Sequence, residues 1–251
     1  MILRAMFSRQ WILTTLLVLA GAAFCARMGI WQLDRLEQRR AFNHQVESMR
    51  VMDVLDLNVS IPEDIAAMEY RAVIARGTYD FENQGALLNH YHQGQPGYHL
   101  LTPLLLDNEP ATAILVDRGW IPLAGNDSPS GWGRYDERGQ VEVRGVIRLG
   151  EAKAQIGGIP DPTLAPGQTR LDYWYVANLA RISKQIPYGV LPVYIQPDVD
   201  PDDEQPPMPF QEEIELTEGP HLGYAGQWFT FATILLAGYP FYLRKQLGDE
   251  K

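Results

Sequence analysis

Two apolar runs, one near each end of the chain, constrain this sequence more than anything between them. The first, "WILTTLLVLAGAAFCARMGIW", occupies residues 11–31; the second extends from Leu222 to Leu243. The first has about the 20 residues a helix needs to cross the hydrocarbon of a bilayer. Its one charge, Arg27, stands near the end, within snorkelling reach of the headgroups. Trp11 and Trp31 bracket it as interfacial aromatic residues do. A cleavable signal ending at "AGA" (20–22) is the rival reading, and the length of the run favours an uncleaved anchor. Bulky Phe24 disfavours a lipid-attachment site at Cys25.

Glu212, Glu213, Glu215 and Glu218 precede the second run, and Arg244 and Lys245 follow it. The positive-inside rule then puts the C-terminus in the cytoplasm, and a second crossing returns the N-terminus, with Arg4 and Arg9, to the same side. Arg35, Arg39 and Arg40 argue the other way; the unambiguous flanks of the second run decide. Gly21, Cys25 and Gly29 recur every four positions, and Ala225, Ala232 and Gly238 lighten the other run, as suits helices that pack closely in lipid.

Charge is partitioned. Residues 44–219 carry 27 acidic against 12 basic side chains, whereas the two ends together carry 4 against 9. An acidic middle excludes nucleic acid as a partner, because phosphate binding needs a basic surface. A single cysteine excludes intramolecular disulfides and covalent C-x-x-C-H haem attachment.

Residues 31–50 read as a polar helix continuing the first run. Six segments rich in β-branched or aromatic residues follow, at 70–79, 86–92, 97–106, 112–122, 140–149 and 191–196, separated by Gly, Pro, Asn and Asp. "LDNEPA" (106–111) reads as a hairpin connection, and the spacing in "YVANLARISKQI" (175–186) predicts a helix. The expected fold class is α+β, with two transmembrane helices flanking one extracytoplasmic, mostly antiparallel β domain. The boundaries are a cytoplasmic N-terminus at 1–10, transmembrane helix 1 at 11–31 and the domain at 32–220. Within the domain, 197–210 is an acidic, Pro-rich linker unable to bury a core. Transmembrane helix 2 covers 221–243 and a cytoplasmic tail 244–251.

No G-x-S-x-G elbow and no G-x-G-x-x-G turn is present. His90 and His92 would face the same way on a strand, but "NHYHQGQPGYH" reads as a polar turn and offers no further ligand. In "VDRGW", strict alternation sends Asp117 and Gly119 to one face and Arg118 and Trp120 to the other. His221 differs. On a helix it shares a face with Tyr224, Ala225, Trp228 and Phe229, with Ala232 one turn deeper. An imidazole over an aromatic wall at a membrane boundary reads either as an interfacial anchor or as an axial ligand of haem iron. On the second reading Arg27 or Arg35 would meet the propionates, and Met28 is a second candidate ligand.

The blocks "GIWQLDRLEQR" (29–39), "GTYD" (77–80), "GQPGYHLLTPLLL" (94–106), "ILVDRGWIP" (114–122), "VRGVIRLGE" (143–151), "WYVANL" (174–179), "LPVYI" (191–195) and "HLGYAGQWFTFA" (221–232) occur in an order that resembles the Surfeit locus protein 1 family of cytochrome c oxidase assembly factors. Gly29, Trp31 and Gln32 match its first block, Arg118, Gly119 and Trp120 a middle one, and Tyr224 and Trp228 its last. The resemblance implies a non-enzymatic, membrane-bound protein that binds haem a and helps deliver it to the catalytic subunit of cytochrome c oxidase, with a haem a synthase as a further partner. Haem would be held by His221 among Trp31, Tyr224 and Trp228, with Arg27 nearby. The alternative is a cofactor-free scaffold that stabilises nascent oxidase subunits. Asn178 stands where the family commonly has Asp. No amphipathic transit segment precedes the first run, so a bacterial inner membrane is the expected location.

Overall fold

The computed structural model describes residues 2–154, 157–202 and 205–249. It divides into two compact units, Met1–Gln45 with Glu215–Lys251, and Val46–Ile214.

The first unit is a helical hairpin. A short helix α1 (Ile2–Met6) precedes α2 (Ile12–Arg50), and α4 (His221–Asp249) returns beside α2. The apolar run and the polar segment expected after it form one unbroken helix. One row of wholly or half-buried positions on α2 runs Thr15, Val18, Ala22, Cys25, Gly29, Gln32 and Leu36. A matching row on α4 runs His221, Ala225, Trp228, Ala232, Leu235 and Tyr239. Steps of three and four give the 3.5-residue period of two helices that share a seam.

The seam is antiparallel. Thr15 and Tyr239 bring their hydroxyls within 2.7 Å. Phe24 meets Trp228 edge-on at 6.0 Å between ring centroids. Gly29 has no Cβ to strike the Phe229 ring, which would otherwise come within 2.7 Å of it. Cys25, Gly29, Ala225 and Ala232 line the seam as their size predicts, but Gly238 has open space around it. Arg39 donates from Nε to Thr217 O at 2.9 Å and from Nη2 to Glu215 O, while Arg40 holds Glu218 through two bonds of 2.7 and 2.9 Å. The basic cluster after the first apolar run therefore fastens the segment leading into α4. Among the described residues, α2 is the one helix long and apolar enough to cross a membrane.

The second unit is built on β1 (Leu55–Asp56), β2 (Ala72–Tyr79), β3 (Gly85–His92), β4 (Gln95–Leu106), β5 (Glu109–Pro122), β6 (Gln140–Leu149), β7 (Tyr173–Trp174) and β8 (Gly189–Pro197). The six expected strands are β2 to β6 and β8. They are joined in the order β2–β6–β8–β5–β4, and β4 pairs back to β2 through Gly77↔Leu106 and Tyr79↔Leu104. Five strands thus close into a ring, which leaves them no open edge. Most pairings are antiparallel; β1–β2, β3–β7 and β5–β8 are parallel. The hairpin expected around "LDNEPA" joins β4 to β5, with Leu106 opposite Glu109.

Alternate residues fill the ring: Val73 and Ala75, Leu104 and Leu106, Ile114 and Val116, Val143 and Ile147, Val193 and Ile195. On the outer face, Leu87, Leu101 and Leu115 pack with Trp174, Leu179, Ile182 and Ile186. The helix expected over 175–186 is shorter. The helix α3 covers only Leu179–Ile182 and runs on as a 3-10 turn to Gln185. Its start is set by Asn178, whose Oδ1 accepts from Arg181 N, while the amides of Tyr175 and Val176 turn away to Asp161 Oδ1 at 2.7 and 3.1 Å.

The segment 197–210 is not a free linker. Met208 exchanges two backbone hydrogen bonds with Trp120, at 2.7 and 2.9 Å, and Phe210 lies edge-on to the His99 ring. Asp203 and Glu204 of this segment, and Glu250 and Lys251 of the tail, lie outside the described residues.

Candidate functional site

His221 is the first residue of α4, preceded by Gly219 and Pro220. It is half-buried, and its Nδ1 lies 2.8 Å from Gln32 Oε1 on α2. Gly219 has φ +67°, a left-handed conformation that suits glycine. A Cβ there would sit 3.4 Å from the Cδ2 of His221 and 3.6 Å from its Nε2. Glycine at 219 thus adds no side chain against the edge of the imidazole away from Gln32. An imidazole nitrogen is a donor of the kind haem iron accepts.

The other residues of the expected site divide. Ala225 is buried in the seam and Trp228 is half-buried against Phe24, whereas Tyr224 is 46% exposed. Trp31 turns outward too, with the Arg35 guanidinium 5.5 Å from its ring centroid. Arg27 is exposed on the same helix. His221, Gln32 and Gly219 thus form the assembled part of the site. Gln32 entered the sequence reading only as a motif position. Its i, i+3 relation to the buried Gly29 is the signal that aims it at the seam.

Arg118, Gly119 and Trp120 belong to the barrel unit. The alternation expected for them fails because a β-bulge intervenes: Leu101 pairs with Asp117 but Leu100 with Gly119, so Arg118 is the extra residue. Asp117 and Trp120 consequently share the outer face with His99. Arg118 turns inward, its guanidinium 5.0 and 5.2 Å from the Tyr79 and Phe81 ring centroids and 2.9 Å from Glu137 Oε1.

His90 and His92 lie on strand β3 rather than in a turn, and they part company. His90 stacks on His99 at 3.9 Å between centroids, and His92 leans on Trp120 at 5.3 Å. Both carboxylate oxygens of Asp117 are 3.0 Å from His99 Nδ1, in a pair 4% and 5% exposed. His90, His99 and Asp117 line a cleft of about 260 Å³ with Tyr194, Arg148 and Phe210. Burial, with the neighbouring His99 adding to it, pushes the His90 imidazole down to about 4 against the opposing pull of Asp117. The sequence reading missed His99, which is hidden in an apolar run. A hairpin turning at Asp107–Asn108 would have placed it near Asp117. Among the described residues no group of three or more His, Cys, Asp or Glu side chains is placed to hold a metal ion.

A closed five-stranded barrel in one unit and a two-helix hairpin with a small-residue seam in the other define a protein that combines a β-barrel with an apolar helical pair. The chain belongs to the SURF1 family, whose model matches residues 19–233. It is similar to a SURF1-like protein of Caenorhabditis briggsae, at 22% identity over 90% of this chain and 74% of that one. Surfeit locus protein 1 of Takifugu rubripes is 22% identical over 80% of this chain and 85% of its own length. The cytochrome oxidase assembly protein SHY1 of Saccharomyces cerevisiae is 28% identical over a shorter stretch, 38% of this chain and 24% of the yeast protein.

Proposed function

We propose that the chain is a non-catalytic, membrane-anchored factor for cytochrome oxidase assembly that carries haem a on His221 toward the catalytic subunit. Family membership and the name of the yeast relative support the role in oxidase assembly. The observation that carries the haem reading is His221 at the start of α4, with Nδ1 2.8 Å from Gln32 Oε1 and Nε2 beside the side-chain-free Gly219. Haem is cargo here and supplies no chemistry of its own. What the chain contributes is one imidazole donor and apolar surroundings for an insoluble ring. A single strong protein ligand suits transfer, because release then requires breaking one bond. A haem a synthase upstream and the oxidase catalytic subunit downstream are the partners this reading calls for.

In this reading α4 crosses the bilayer beside α2, both termini are cytoplasmic and the barrel is extracytoplasmic, in a bacterial inner membrane. The outward faces of both helices support it: Leu13, Leu16 and Leu17 on α2, and Phe231, Ile234 and Phe241 on α4, are each at least half exposed. Such surfaces suit lipid, where apolar contact costs nothing. Pairing with the 215–218 segment gives Arg39 and Arg40 a role that does not need the cytoplasmic side.

The test is optical. Protein purified from cells that make haem a should carry a haem spectrum, and His221→Ala should lose it. Unchanged haem content in the variant would leave the cofactor-free scaffold as the reading.

A further inference from the structure

We infer that Gln32 is a positioning residue that fixes which nitrogen of His221 is offered to iron; the inference rests on the haem reading above. A neutral imidazole carries one proton, and the nitrogen without it holds the lone pair that binds a metal. Gln32 Oε1 lies 2.8 Å from His221 Nδ1, and a carbonyl oxygen only accepts. The proton therefore resides on Nδ1, and the lone pair on Nε2. Nε2 is also the nitrogen beside the missing side chain of Gly219. Two independent features, a hydrogen bond on one edge and a glycine at the other, thus select the same atom.

The acceptor is held as firmly as the ligand. Gln32 is three residues after Gly29, whose absent Cβ lets the Phe229 ring lie against α2, and four before the buried Leu36. Its side chain is half-buried on the seam-facing side of a continuous helix, so the bond to His221 ties the first turn of α4 to a fixed point on α2. Partners that orient a ligating histidine also raise its basicity, and their removal commonly lowers metal affinity by about 10–100-fold. Gln32 does for this imidazole what a carboxylate or backbone carbonyl does in other sites, without adding a negative charge at the membrane boundary. Asp34 and Glu37, the nearest acidic residues of α2, are both exposed.

The experiment reads the tautomer directly, with no haem present. The full chain, labelled with ¹⁵N-histidine, is solubilised in detergent at alkaline pH, and His221 is assigned by its loss in His221→Ala. Wild type should show the Nδ1–H form. Gln32→Leu should revert to the Nε2–H form that an unconstrained histidine favours, and Gln32→Glu, which keeps an acceptor, should retain Nδ1–H. Hemin titrated into the same samples should bind Gln32→Leu at least tenfold more weakly than wild type, with Gln32→Glu closer to wild type. An Nε2–H wild type, or a tautomer unmoved in Gln32→Leu, overturns the inference. So does a tautomer that switches without any loss of hemin affinity, which leaves the ligand reading standing. If His221→Ala binds hemin as wild type does, the ligand reading itself falls.

Discussion

Gly119 and Met208 approach so closely that a Cβ at Gly119 would lie 2.1 Å from the Met208 carbonyl oxygen. Gly119 also has φ +111°, in the region that only glycine enters without strain. The bulge at Arg118 and the strap at Met208 meet at this one backbone position. Gly119→Ala must therefore push the strap away and weaken both hydrogen bonds between Trp120 and Met208. The combined backbone strain and lost bonding should cost on the order of 3 kcal/mol. Urea unfolding of the full chain, followed by tryptophan fluorescence, should show a lowered midpoint; an unchanged midpoint would mean the strap contributes nothing.

The stacked pair of His90 and His99 makes stability depend on pH with a definite sign. An imidazole held down to about 4 in the folded chain takes up its proton near the ordinary 6.5 when unfolded. Above 6.5 both states are neutral and the contribution of His90 is whole. As pH falls from there toward 4, the unfolded state binds a proton that the folded state refuses, and stability drops by roughly 3 kcal/mol. His90→Phe keeps a flat ring and removes the proton. Its stability should change less between pH 7 and pH 4 than that of wild type.

How much of this was legible beforehand differs by element. The six main strands show as β-branched and aromatic runs because local spacing sets them. The closure of β4 onto β2 does not show, since Tyr79↔Leu104 joins residues that no local pattern connects. The two-residue strands β1 and β7 are too short to carry an alternation. The bulge separated Trp120 from Arg118, which strict alternation would put on one face, because a single extra residue flips every later side chain. His221 stood out because an ionisable residue beside an apolar run is conspicuous. Gln32 did not, because its role exists only once the two helices are paired.

Asn178 offers a test of the buried amide at the start of α3. Its Oδ1 accepts from Arg181 N at 3.2 Å, which an aspartate could do as well. Its Nδ2 donates to Ala152 O at 2.9 Å, which an aspartate cannot. The side chain is 6% exposed, so Asn178→Asp would turn a carboxylate oxygen toward a carbonyl with little water to separate them. A loss of about 1–3 kcal/mol is expected at neutral pH. Protonation restores a donor, so the deficit relative to wild type should shrink in acid. Equal urea midpoints at neutral pH would sink the account.

Gly219 offers a test of the open edge of His221 that is independent of Gln32. Alanine at φ +67° costs about 1 kcal/mol in backbone strain, which the hairpin should tolerate. Its methyl group would then stand 3.6 Å from Nε2, in the space through which a ligand must approach. Gly219→Ala should keep the Nδ1–H tautomer of His221 yet bind hemin more weakly. Strain and occlusion predict different results for Gly219→Asn, because asparagine accepts the left-handed conformation more readily but fills more of the space. If occlusion is the cause, Gly219→Asn will bind hemin no better than Gly219→Ala. Recovery of binding in Gly219→Asn would instead assign the effect to the backbone, and the clear edge would lose its role in recognition.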